Sequence, residues 1–385
     1  MEKTKLKMAL VANSSWNIYN FRLNVLEILL AKGYEVIVIA PLDVYSHFSN
    51  DFPTVRHIPL QNLARRSLNP LHDLLLIAEL FSIYRQEHPD ILLHYTIKPN
   101  IYGGLVARWL GLRTIGCITG LGYAFIRTGF VHSLSKLLYR WAFARVERVI
   151  FENIDDRLLF NALGIVEAEK SVSVKGCGIN VERFHPMPRW EKLPNNARVF
   201  TFIGRFLYDK GISEFVEAAR IVKQKYPKTV FWLVGEIDND NPATIHAEIL
   251  KEWILAGLVE NKGFMDDVRP FIAASDCIVC PSYREAIPRV LQEGMAMERA
   301  IITTDVAGCR EAVEEGVNGF LVPVKSAQAL ADAMLRVIIM PDEMIEEMGK
   351  RGREKVLREF DQKLIAADIL SVIEDVVSNE GLRNF

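Results

Sequence analysis

Short, almost wholly apolar runs alternate along this chain with longer stretches in which apolar side chains return every third or fourth position. That is the pattern of buried strands interleaved with amphipathic helices. Residues 8–12 and 35–40 predict strands, and 19–32 between them predicts a helix stopped by Gly33, which together make a βαβ unit. The alternation continues with a helix over 71–85, a strand at 91–94, a helix at 101–110 and a strand at 114–118. Over 181–196, where Pro186, Pro188 and Pro194 fall, apolar periodicity fades, as in an interdomain connection. It then restarts: 199–203, 230–234, 277–280 and 300–303 predict strands, each followed by a helix. The expectation is an α/β chain with two Rossmann-like, doubly wound domains facing across a cleft.

A length of 385 residues suits two such domains better than one core. Apolar content of 50% and charged content of 24% are ordinary globular values, and a net charge of −2 gives no global attraction to nucleic acid. Five scattered cysteines suit a reducing cytoplasm, and Cys277-x-x-Cys280 lies in a strand that points its two thiols to opposite faces, so no metal site is read there. The charged start followed by the short run 8–12 reads as a first strand and not a signal peptide. The apolar stretch 71–84 is broken by Asp73 and Glu79, and no segment reaches the roughly 18 uncharged residues of a membrane span.

Charge then singles out two places in the second half. After the strand at 277–280, Glu285 falls in a loop and Glu293 inside the helix that follows. Unpaired backbone N–H groups at such a helix start attract a diphosphate, and two flanking carboxylates can grip vicinal hydroxyls. The same residues also suit a plain capped helix start. Upstream, Gly204 lets the backbone approach a ligand, while Arg205 and Lys210 supply the positive charge that a departing diphosphate needs. An ordinary βα loop with solvated cations is the alternative there. Asp238-Asn239-Asp240 reads as a turn rather than a metal-binding pair.

Gly204-Arg205 with Lys210-Gly211, the Glu285-x7-Glu293 pair, and the segments 301–308 and 318–323 resemble family 4 retaining glycosyltransferases of the GT-B fold over essentially the whole chain. The resemblance implies domains at 1–188 (acceptor) and 189–363 (nucleotide sugar), with residues 364–385 returning to the first. It assigns Arg205 and Lys210 to the diphosphate, Glu293 to the ribose and Glu285 to the transferred sugar, with Glu285, Arg205 and Lys210 carrying catalysis. Gly204, Gly235, Phe264, Met265, Ala286, Ile287 and Pro288 would complete the donor site. Ala286 and Ile287 depart from the family's usual glycine and phenylalanine. Many relatives also carry a histidine at the end of the fourth strand, where this chain has Thr119. The implied chemistry needs no protein nucleophile, no metal and no cofactor beyond the UDP-sugar substrate.

In the first half, the loops with Asn13, Ser14 and Ser15, with Arg65, Arg66 and Ser67, with Lys98 and Asn100, and with Thr119 and Gly120 are expected to receive the acceptor. They resemble the subfamily that adds N-acetylhexosamines (UDP-GalNAc or UDP-GlcNAc as donor) to undecaprenyl-diphosphate-linked sugars, including N-acetylgalactosaminyltransferases acting on lipid-linked bacillosamine. A helix beyond His132 sets Leu134, Leu137, Leu138 and Trp141 against a basic stripe of His132, Lys136 and Arg140. With Phe125, Arg127 and Phe130 it suits either the inner face of the plasma membrane or burial against a sheet. A UDP-sugar epimerase and a non-catalytic nucleotide-sugar-binding protein are the rival functions. A dinucleotide dehydrogenase is excluded because Asn13-Ser14-Ser15 is not a glycine-rich fingerprint.

Overall fold

The computed structural model describes residues 5–63, 69–121, 130–189, 197–239 and 241–378. It divides into two compact units, Met1–Cys177 with Lys363–Phe385, and Gly178–Gln362.

In the first unit seven strands form one sheet: β1 (Lys7–Val11), β2 (Glu35–Ala40), β3 (Arg56–Pro59), β4 (Ile91–Tyr95), β5 (Arg113–Ile118), β6 (Arg148–Phe151) and β7 (Ser171–Ser173). Their order is β3-β2-β1-β4-β5-β6-β7, and every neighbouring pair is parallel. Met8 and Leu10 pack with Leu26, Leu29 and Ile369 on one face, while Ala9 and Val11 pack with Leu76, Leu80 and Val106 on the other. Two buried faces explain why these strands read as unbroken apolar runs.

The helix Gln362–Ser378 belongs to this unit and buries Ile365, Ile369 and Ile373 against its core, as the final helix was expected to do. Burying such a side chain is worth about 1.5–3 kcal/mol, so three of them approach the whole stability of a domain, about 5–15 kcal/mol.

The second unit has six parallel strands: β8 (Val199–Ile203), β9 (Val230–Val234), β10 (Glu260–Gly263), β11 (Cys277–Cys280), β12 (Ala300–Thr304) and β13 (Gly319–Val322), in the order β10-β9-β8-β11-β12-β13. Phe200, Phe231 and Leu233 pack with Phe215 and Met334 on one face, and Ile278 and Ile301 with Leu291 and Met295 on the other. Cys277 joins the first cluster and Cys280 the second, so the two thiols do face apart.

Three expectations are corrected. The first unit ends at Cys177 and not at 188: Ile179 and Phe184 are buried in the second unit's core, and the Ile179 N–H bonds to the Phe360 carbonyl at 2.8 Å, so the proline-rich stretch only begins beyond them. The helix expected over 19–32 is two helices, Ser15–Phe21 and Leu23–Ala31, broken at Arg22. Finally, β3 makes the strand ending before Thr119 the fifth rather than the fourth. The true fourth strand does contain a histidine, His94. It is buried, bonds to the Tyr84 hydroxyl at 3.0 Å, and burial lowers its pKa to about 3, so it is a neutral core residue.

Candidate donor-binding site

In doubly wound sheets, ligands gather beyond the carboxyl ends of the strands where the strand order reverses direction. The second unit reverses between β8 and β11, and the Gly204 and Glu285 loops leave from those two strands.

The backbone dictates their shape. Gly204 has φ +151, and the loop closes through a short turn, Tyr208–Lys210, onto Gly211 at φ +73. A Cβ on Gly211 would lie 2.1 Å from the Pro281 carbonyl oxygen, so glycine alone lets the two loops touch. They are joined there by the Tyr283 N–H, which donates to the Asp209 carbonyl at 2.9 Å. Gly308, with φ +75, presses still closer from beyond β12: a Cβ there would sit 1.2 Å from the Ala286 carbonyl oxygen. The Glu285 loop is therefore clasped from both sides by glycines.

Within this frame the Lys210 ammonium donates to a Glu285 carboxylate oxygen in an ion pair that is mostly buried. Burial disfavours the charged lysine, but Glu285 outweighs it and holds the Lys210 pKa above its ordinary value. Arg205 is more open and pairs with Asp238 at 2.8 Å, so Asp238, expected to be plain turn, is the counter-ion of a phosphate candidate.

Glu293 lies inside the helix Arg289–Ala296, as its spacing predicted, and pairs with Arg289 at 3.0 Å. Pro288 stands at the N-cap with no side-chain cap hydrogen bond. The Gly235 N–H bonds to the Gly263 carbonyl at 2.8 Å, which ties the turn after β9 to the loop carrying the exposed Phe264 and the half-buried Met265. Gly204, Arg205, Lys210, Gly235, Glu285, Ala286, Ile287, Pro288 and Glu293 thus all lie at or near the carboxyl ends of one sheet.

The residues expected to take the acceptor fare differently. Arg65, Arg66 and Ser67, like Phe125 and Arg127, lie outside the described residues. Ser14 caps the helix Ser15–Phe21 by accepting the Asn17 N–H, and Ser15 is buried with its hydroxyl donating to the Pro41 carbonyl at 2.7 Å. Asn100, also buried, donates to the carbonyls of Thr96 and Cys117 at 2.8 and 2.9 Å, stapling the ends of β4 and β5. These three side chains each make hydrogen bonds that hold the loops they stand on. Lys98 pairs with Asp73 at 2.7 Å. Asn13, Thr119 and Gly120 remain half-buried at the strand ends.

Sequence reasoning missed the most unusual group here. Arg22 is only 3% exposed, pairs with Glu152 at 2.8 Å and covers the Tyr95 ring at 4.4 Å. Its signal was available: position 22 falls on the same helical face as Ile18, Val25 and Leu29, where a cation has no place unless it is paired.

The helix Phe130–Phe143 buries Tyr139, Ala142 and Phe143, yet leaves Leu134, Leu137 and Trp141 42–55% exposed. Among the described residues no helix is long and apolar enough to cross a membrane.

Residues 197–339 match the family model described as Glycosyl transferases group 1, and residues 7–153 match Glycosyl transferase 4-like. The chain is 27% identical, over 97% of its length and 100% of the relative's, to the N,N'-diacetylbacillosaminyl-diphospho-undecaprenol alpha-1,3-N-acetylgalactosaminyltransferase of Campylobacter jejuni. It is 26% identical to the UDP-Gal:alpha-D-GlcNAc-diphosphoundecaprenol alpha-1,3-galactosyltransferase of Escherichia coli, over 82% of this chain and 83% of the relative. Its fold is also that of a glycosyltransferase from Rickettsia africae, with a TM-score of 0.80 at 20% identity over 98% of this chain and 100% of that one. With both halves matched, the chain belongs to the family 4 glycosyltransferases of the GT-B fold.

Proposed function

We propose that this enzyme transfers an N-acetylhexosamine from a UDP-sugar to a sugar carried on undecaprenyl diphosphate, in bacterial glycan assembly, with retention of the donor's anomeric configuration. The observation that carries the reading is the Lys210–Glu285 pair on two interlocked loops, beside Glu293 on the following helix. The end-to-end similarity to the Campylobacter jejuni and Escherichia coli transferases supports the acceptor class.

In this reading the donor diphosphate lies over Arg205, Lys210 and the helix start at Pro288. Glu293 accepts hydrogen bonds from the ribose and Glu285 from the hexose. The acceptor hydroxyl oxygen attacks the anomeric carbon on the face the departing phosphate vacates. The carbon–phosphate-oxygen bond breaks, the diphosphate takes the hydroxyl proton, and Lys210 and Arg205 stabilise the charge that grows on it. Cationic side chains and a helix dipole supply this stabilisation, so turnover is expected to need no divalent metal.

The ridge of Leu134, Leu137 and Trp141 beside Lys136 and Arg140 supports docking on an anionic membrane from the cytoplasmic side, where a lipid-linked acceptor is presented. The test is a panel of UDP-sugars against undecaprenyl-diphosphate saccharides, with the product anomer read by NMR. Transfer from UDP-N-acetylgalactosamine or UDP-N-acetylglucosamine with the α-linkage kept is expected. A β-linked product removes the retaining mechanism, and loss of activity in EDTA with recovery in Mn²⁺ removes metal independence.

A further inference from the structure

The helix Arg289–Ala296 carries a buried carboxylate together with its counter-ion. Glu293 is 9% exposed, and burial raises its pKa above the ordinary carboxylate value. Arg289, one turn earlier, pulls the other way through an ion pair, Nε to Oε1, of 3.0 Å. Two further charges reach the same carboxyl from neighbouring elements. Arg183, in the turn after Ile179, favours the ionised form, and Asp267, ahead of the helix Arg269–Ala274, opposes it. Asp267 is itself paired with Arg269 at 2.7 Å, which dulls its opposition. Of these groups Arg289 is the one in contact with Glu293.

We propose that Arg289 is a positioning residue for donor recognition: paired with Oε1 at 3.0 Å, it fixes the orientation from which the Glu293 carboxylate receives the ribose hydroxyls. The inference rests on the assignment of Glu293 to the ribose in the proposed function. An ionised carboxylate accepts from both vicinal hydroxyls through charge-assisted bonds, whereas a protonated one turns an oxygen into a donor and gives up that strength. The influence of Arg289 passes through Glu293, so it carries a pH signature that a purely structural arginine would not.

The test compares the whole wild-type protein with Arg289→Met and Arg289→Lys, by calorimetry with UDP-N-acetylglucosamine between pH 5.5 and 8.5. The diphosphate of that probe is esterified at both ends and keeps its charge across the range. Removing the adjacent cation lets Glu293 protonate at higher pH, so Arg289→Met is expected to bind about tenfold more weakly at pH 6 and within about twofold of wild type at pH 8.5. The loss falls on the donor KM rather than on kcat, Arg289→Lys restores most of it, and with the 2′-deoxyribose analogue the variant and wild type differ by less than about twofold. A loss of equal size at every pH, or one that persists with the deoxy analogue, overturns the proposal, because Arg289 would then act on the diphosphate or on the fold. A lowered melting temperature with the pH dependence unchanged does the same. Wild-type protein that binds neither UDP nor its sugar esters at any pH removes the donor assignment itself, a result distinct from the others.

Discussion

At the β1/β4 reversal of the first domain, Ser14, Ser15 and Asn100 give their polar atoms to the backbone around them, whereas at the β8/β11 reversal of the second, Lys210 and Glu285 give theirs to each other. The strand order from β3 to β6 in one sheet repeats that from β10 to β13 in the other, so topology does not explain the contrast. The kind of partner does. A side chain bonded to backbone ties down the segment it reaches, whereas a lysine and a glutamate joined side chain to side chain leave the backbone to other bonds. The first domain also has a charged pair, Arg22–Glu152, but it is sealed beneath the strand ends. The two pairs differ in burial: Arg22 and Glu152 keep 3% and 10% of their side-chain surface, Lys210 and Glu285 28% and 17%.

That difference can be tested by mutation. The largest effect is expected from Glu152→Leu, which leaves the Arg22 guanidinium buried without its counter-ion: urea denaturation is expected to show a loss of about 3–5 kcal/mol. A change below 1 kcal/mol would mean that the pair does not hold the first domain. Next comes Glu285→Gln, which is expected to lower kcat by about 10²–10³, the scale of removing one preorganised polar contact to the reacting group, with a smaller loss of stability than Glu152→Leu. Turnover at the wild-type rate would strip Glu285 of its role. Gly308→Ala joins the two kinds of effect, since its methyl group collides with the Ala286 carbonyl and its backbone sits at φ +75. It is expected to cost about 1–3 kcal/mol in stability and to reduce donor affinity, read by melting and by UDP binding in parallel. The smallest change is Lys136→Glu on the exposed helix: partition onto anionic vesicles is expected to weaken by about 1 kcal/mol per charge altered, and flotation with no dependence on that charge would argue against electrostatic docking.

How much of this was legible beforehand depended on burial. Strands covered on both faces, such as β1, β2, β8 and β11, stand out as apolar runs. Two of the edge strands do not: β3 is Arg-His-Ile-Pro and β10 is Glu-Asn-Lys-Gly, with one side lacking a partner strand and little core to fill. The carboxylates at 285 and 293 could be found from their spacing around a strand-to-helix turn. Their partners could not all be read so directly. Lys210 was singled out as a cation, yet its pairing with Glu285 spans 75 positions, and the collision that requires Gly308 exists only once β12 lies beside β11. Ser14 and Asn100 stand out as polar residues at strand ends, and their hydrogen bonds to nearby backbone become visible only in three dimensions.

The helix Gln362–Ser378 has a consequence for how the chain is made. The second domain is one uninterrupted stretch, but the first is completed by residues that follow only after the whole of the second. During synthesis the early sheet emerges with Met8, Leu10 and Val36 lacking the cover that Ile365, Ile369 and Ile373 later provide. The half of the enzyme translated first is thus the half finished last: until residues 363–378 are made, one face of the early sheet stays uncovered.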